Sequence, residues 1–142
     1  MNYKNLDIYD ELFKDYQSYI KDNINYEIKI AKKAPQSITK FPTIIMKEVI
    51  NTNTNNISTN YQEFVDLVGY QVDIYTKDFI DENGQHYSME VQKELKQLTY
   101  NFFFANRFKR QSYEDWENNN LIYDRLTLVF QGNLQSWNKQ IV

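Results

Sequence analysis

The chain has no cysteine, one histidine, two prolines and three glycines in 142 residues. Each scarcity closes off a kind of chemistry. Without cysteine there is no disulfide frame, no thiolate metal site and no cysteine nucleophile. A zinc centre would need several histidines, and His86 stands alone. Gly69, Gly84 and Gly132 lie too far apart to build a phosphate-cradling loop. No run approaches the roughly 20 apolar residues of a membrane span, and the opening MNYKNLDIYDELFKDY lacks the apolar stretch of a signal peptide. These absences predict a soluble chain made in a reducing compartment, with no metal, no cofactor and no membrane partner.

The abundant residues point elsewhere. Hydrophobic residues at 42% and charged residues at 25% match an ordinary globular core. The length predicts one domain over residues 1–142. Twelve tyrosines and nine phenylalanines raise the aromatic share to 16%. Tyrosine buries a ring while keeping a polar tip wet, so the excess suits contact surfaces as well as a core. The net charge of −3, with both signs spread along the chain, argues against a broad nucleic-acid surface.

Periodicity gives the elements. Leu6, Tyr9, Leu12, Phe13, Tyr16 and Ile20 form one helical face. Ile24, Tyr26, Ile28 and Ile30 alternate with polar residues and read as a strand, although Ile20, Ile24 and Ile28 also fit a continuing helix. Thr43–Ile50 is β-branched and apolar, and Val68, Tyr70, Val72 and Ile74 alternate cleanly, so these two segments predict an antiparallel hairpin. Asn83-Gly84 marks a turn. Ser88 opens a second helix carrying Val91, Leu95, Leu98, Phe102 and Ala105, which ends near Asn106 as a left-handed cap. The aromatics Phe102-Phe103-Phe104 fall on more than one face, which predicts cover from the sheet and from a second element. A short strand over Lys109–Tyr113, a polar loop EDWENNN, a strand Leu121–Gln131, a turn at Gly132-Asn133 and a short strand within Leu134–Ile141 complete the reading. The fold class is α+β, with two helices on one face of a mainly antiparallel sheet of about four to five strands.

Catalytic signals are thin. His86 has no named partner for general-base work. Asp81, Asn83 and Gln85 alternate like calcium ligands, but the glycine falls at the fourth position of that loop and its twelfth is Gln92. Asp73, Asp78, Glu114, Asp115 and Glu117 read as solvated charge rather than a paired acid and base. Arg107, Lys109 and Arg110, with Phe103, Tyr113 and Trp116 nearby, fit phosphate contact and base stacking, and they carry the alternative of a small adaptor that binds nucleic acid. Three cations at a helix C-terminus are also expected from the helix dipole alone. No enzymatic activity is expected.

One stretch stands apart. Asn51, Thr52, Asn53, Thr54, Asn55, Asn56, Ile57, Ser58, Thr59 and Asn60 contain no charge, no glycine and no proline. Linkers carry glycine or serine and disordered tails carry charge. The tract reads as a loop that orders when the subunit docks, the alternative being a surface loop without function. Phe103 and Phe104 join it as candidate contact residues.

The phrases FPTIIMKE, YQVDIYTKD, NRFKR and IYDRLTLVFQGN, in this order around a polar gap and an amphipathic helix, resemble the tail terminator or tail-completion proteins of long-tailed bacteriophages and related head–tail joining proteins. The resemblance runs from about Phe41 to about Asn133. Members often carry glycine just before the Phe-x-Arg that follows the second helix. Here Arg107 precedes Phe108, and Asn106 is expected to make the left-handed turn instead. The resemblance implies a virion protein of the head–tail junction, assembled in the host cytoplasm. It implies a homo-hexameric ring on the tail tube, with the tail tube protein and the head-completion or connector protein as partners and the tail sheath as a further candidate. DNA would pass through the ring only as cargo.

Overall fold

In the computed structural model the described residues are 5–56, 63–111, 115–119 and 123–133, with side chains described for 8–50, 67–111 and 123–133. Helix α1 spans Asn5–Asp22. Its buried residues Ile8, Leu12, Tyr16 and Ile20 recur every fourth position, which makes one continuous stripe. After a turn at Asn23 and bends at Asn25 and Tyr26 the chain reaches a short strand β1, Lys29–Ala31, which pairs parallel with the start of β2, Thr43–Asn56. β2 pairs antiparallel with β3, Glu63–Thr76. A small separate hairpin follows, β4 Phe79–Asp81 and β5 Gly84–His86. Gly84 sits at φ +116, a conformation that suits glycine.

Helix α2 covers Ser88–Ala105. Beyond it lie β6 Lys109–Arg110, β7 Asp115–Asn119 and β8 Tyr123–Asn133, all in the main sheet. That sheet has six strands in the order β1-β2-β3-β8-β6, with β7 also on β8. Every pairing except β1 with β2 is antiparallel, so the α+β architecture expected from the sequence is the observed one.

One core joins the layers. Register places Ile74 beside Leu126, Val72 beside Leu128 and Tyr70 beside Phe130, and all six are buried with the stripes of both helices. The second cover predicted for α2 is α1. Tyr16 and Tyr19 pack on Phe102 at ring separations of 5.3 and 5.7 Å, and Tyr16 shares a hydrogen bond of 2.8 Å with Thr99. Thr99 therefore takes a core position that apolar periodicity does not mark.

The ends of α2 are fixed by different means. Tyr87 is the N-cap residue and makes no side-chain cap. The Asp78 carboxylate accepts the Ser88 N–H at 2.7 Å instead, while the Ser88 hydroxyl bonds Thr76 and Asp124 on β3 and β8. At the other end Asn106 has φ −95, and Arg107, at φ +65, is the left-handed residue. The Arg107 N–H donates to the Phe104 carbonyl and the Phe108 N–H to the Phe103 carbonyl, the pair of bonds of a Schellman motif. The turn expected at Asn106 thus falls one residue later.

Four other expectations are corrected. The strand predicted over residues 24–30 shrinks to Lys29–Ala31; Ile24, Tyr26 and Ile28 pack against the core from a bent connection outside any strand. Asn51–Asn56 is strand rather than loop. EDWENNN holds β7, because β8 offers it a free edge over the rungs from Tyr123 to Thr127. Gly132 and Asn133 continue β8 opposite Val68 and Leu67 instead of turning. The strand expected within residues 134–141 lies outside the described residues.

Candidate assembly surface

Among the described residues the sheet narrows at one end into an arm, past the rung that sets Asn133 of β8 opposite Leu67. Beyond that rung β2 and β3 continue alone among the described residues, with Asn53 opposite Asp66, Thr54 opposite Val65, Asn55 opposite Phe64 and Asn56 opposite Glu63. Thr52 and Thr54 are β-branched and favour the strand, while asparagine tolerates it. A two-stranded ribbon is at best marginally stable in water without further cover. Ile57, Ser58, Thr59 and Asn60, the rest of the candidate tract, lie outside the described residues.

The root of the arm is tightly built. A β-bulge falls between Glu48 and Ile50, leaving Val49 exposed. Ile50 lies against Gly69, where a β-carbon would meet its side chain at 2.9 Å. Across β3, Gly132 lies beneath the Phe108 ring, where a β-carbon would meet carbon at 2.7 Å. The Schellman turn at Arg107 is what delivers Phe108 to this place, and Phe108 also meets Tyr70 and Phe103 edge-on.

The two candidate phenylalanines separate. Phe103 is fully buried and stacks on Phe130 at 4.3 Å with the rings 1° from parallel. Its ring is committed to the core, which removes it from the contact set. Phe104 is 52% exposed and stacks on Tyr100 at 5.3 Å. Arg110 donates to the Tyr100 hydroxyl at 3.0 Å, so an exposed aromatic and a cation flank one tyrosine. At the far end of β3 from the arm, Ile80, Tyr87 and Met89 are also exposed.

The basic residues do not form one patch. Arg107 occupies the left-handed turn, and Lys109 and Arg110 are successive residues of β6, whose side chains point to opposite faces. Tyr113 lies outside the described residues, as does the Trp116 side chain. A groove of about 800 Å³ is lined in part by Lys21, Tyr26, Glu27, Lys29, Lys40 and Phe41.

The carboxylates singled out earlier serve local structure. Asp73, buried on the face away from the helices, accepts from Thr127 at 2.6 Å and from Gln71. Asp78 holds the start of α2. His86 pairs with Asp81 at 2.8 Å and stacks on Phe79 at 4.6 Å. Burial alone would raise the Asp81 carboxyl, but the His86 contact and the Asn83 N–H lower it below the usual carboxylate range. The Glu114 position and the side chains of Asp115 and Glu117 lie outside the described residues. Among the described residues, no three His, Asp or Glu side chains gather to hold a metal, and no helix is long and apolar enough to cross a membrane.

Several tyrosine hydroxyls are drawn into the fold. Tyr9 donates to the Met46 carbonyl at 2.7 Å, and burial, then Glu48 and Asp10, push its phenol up to about 12. Burial likewise raises Tyr16, Tyr26, Tyr70 and Tyr75, with Glu94 adding to the effect at Tyr26 and Glu48 at Tyr70. Such groups stay protonated and act as structural hydrogen bonds. No protein-family model matches the chain, and no curated protein matches it.

Proposed function

We propose that this chain is a non-enzymatic virion subunit, a tail terminator that closes with copies of itself into a ring of about six, caps the tail tube and presents a surface to the head connector. The observation that carries the reading is the arm, in which β2 and β3 have no third strand among the described residues. A two-stranded ribbon gains little from standing alone in water, and it gains most when a neighbour covers it. A head-to-tail interface that closes into a ring supplies such a neighbour for every subunit. The sequence phrases that resemble tail-completion proteins support the same reading, and so does the α+β fold. The exposed residues Ile80, Tyr87 and Met89, at the other end of β3, offer a second apolar contact for tube or connector. The net charge of −3 suits a ring through which DNA passes without sticking.

The test is a tube-growth experiment. Tail tube protein is polymerised with and without the purified chain, and tube lengths are measured by electron microscopy. Growth arrest with extra density at one tube end is the expected result. Tubes of unchanged length and bare ends would overturn the proposal. The adaptor alternative, binding nucleic acid through Arg107, Lys109 and Arg110, predicts steeply salt-dependent binding to DNA or RNA instead.

A further inference from the structure

Among the described residues the open edge of β2 is guarded along part of its length and bare along the rest. β1 pairs with Thr43, Ile44 and Ile45. Next, the Met46 carbonyl takes the Tyr9 hydroxyl, Lys47 is exposed, and the bulge at Val49 breaks the line of the strand. Hydrogen-bonded cover, an edge lysine and a bulge are the devices by which sheets avoid adding foreign strands. Among the described residues no strand cover continues past the bulge, and the sequence places no lysine there. From Ile50 to Asn56 the edge facing away from β3 has no strand partner among the described residues, and its sequence carries no charge, no proline and no glycine.

We propose that two copies of the free chain join through this edge, antiparallel, about a two-fold axis at Asn53. The sequence Asn-Thr-Asn-Thr-Asn over residues 51–55 reads the same in both directions. Pairing about Asn53 therefore sets Asn51 opposite Asn55 of the second copy, Thr52 opposite Thr54, and Asn53 opposite itself. Threonine pairs across an antiparallel ladder are favourable, and asparagines stacked on like partners add hydrogen bonds. A two-fold interface is isologous, so any charge near its centre would face its like. An uncharged, reversible tract is what such an interface requires. A foreign strand would require neither the symmetry nor the absence of charge. On one side the bulge limits the pairing sites at Ile50, three residues from Asn53. This dimer of the free protein does not rest on the ring reading, since a two-fold pair neither needs nor forms a closed ring.

A charge exchange at the axis tests it. The full chain, N53D and N53K are each followed by native mass spectrometry and sedimentation over a range of concentrations, with far-UV circular dichroism confirming the fold. The parent is expected to dimerise. Each variant alone should dissociate at concentrations at least roughly ten-fold higher than the parent, because like charges then meet at the axis. An equal mixture of N53D and N53K should restore the dimer as a mixed pair. If either substitution disturbs the fold, T52K/T54K against T52K/T54D asks the same question at the flanking rungs, the first repelling and the second pairing Lys with Asp. A parent that is monomeric at all concentrations, variants that dimerise like the parent, or a mixture that fails to recover would each overturn the pairing. A hexamer insensitive to both charges would overturn it while leaving the ring reading standing. Charge rescue in a chain that does not cap tail tubes would sink the ring reading alone.

Discussion

The ring of Phe108 lies over Gly132 so closely that any β-carbon at residue 132 would meet it at 2.7 Å. Replacing a strand glycine by alanine ordinarily stabilises by about 0.4–1 kcal/mol through the unfolded chain. Here the clash reverses the sign, because Phe108 is buried and cannot swing away. Gly132→Ala is expected to destabilise by about 1–3 kcal/mol in urea unfolding. Adding Phe108→Leu to G132A should give less than the sum of the two single losses. Additive losses would show that the ring and the glycine do not constrain each other.

Arg107 holds the left-handed position that closes the Schellman turn. A side chain there costs about 1–2 kcal/mol that glycine does not. Arg107→Gly should therefore stabilise the chain by about 1 kcal/mol, whereas Asn106→Gly should not, since Asn106 has negative φ. Thermal unfolding of the two variants decides it.

The neighbouring phenylalanines should behave oppositely. Phe103→Ala opens a cavity against Phe130 and is expected to cost about 3–5 kcal/mol. Phe104→Ala, at a half-exposed site, should stay within about 0.5 kcal/mol of the parent. Chemical denaturation of both measures the contrast.

Most of the architecture is legible in the sequence because period carries it. The stripe Leu12, Tyr16, Ile20 and the alternation of Val68 to Ile74 name their burial directly. The arm is hidden for a physical reason. Strand propensity in Asn51–Asn56 lies in Thr52 and Thr54 alone, and no glycine or proline turn signal stands between it and its partner segment Glu63–Asp66, so nothing local announces the pairing. The alternation of threonine is the available signal. Phe103 is hard to place because a run of three aromatics leaves open which ring the sheet takes, and only the stack on Phe130 decides it. The left-handed turn falls at Arg107 rather than Asn106 because the hydrogen bonds to Phe103 and Phe104, not side-chain preference, set its position.

Alkaline pH should unfold the chain. Tyr9, Tyr16, Tyr26, Tyr70 and Tyr75 are all raised in the fold. Above pH 10 the unfolded chain loses these protons and the folded chain keeps them, so the unfolded state binds fewer protons and stability falls. Their contribution is complete below about pH 10 and, for Tyr9, is lost as pH rises through about 12. Tyr16, which is fully buried, alone costs about 1.4 kcal/mol per pH unit in that window. Tyrosinate absorbance should appear together with loss of circular dichroism; phenols that titrate freely near pH 10 in an intact fold would contradict this.

The role of the arm in capping is tested by comparing the parent with a chain whose residues 53–66 are replaced by Asn-Gly, which closes the hairpin with a tight turn just beyond the Thr52–Leu67 rung. Both are added to growing tail tubes after circular dichroism confirms that both fold. The parent is expected to arrest growth at one end and the trimmed chain to leave tubes long and uncapped. A trimmed chain that folds and caps as well as the parent would contradict that role.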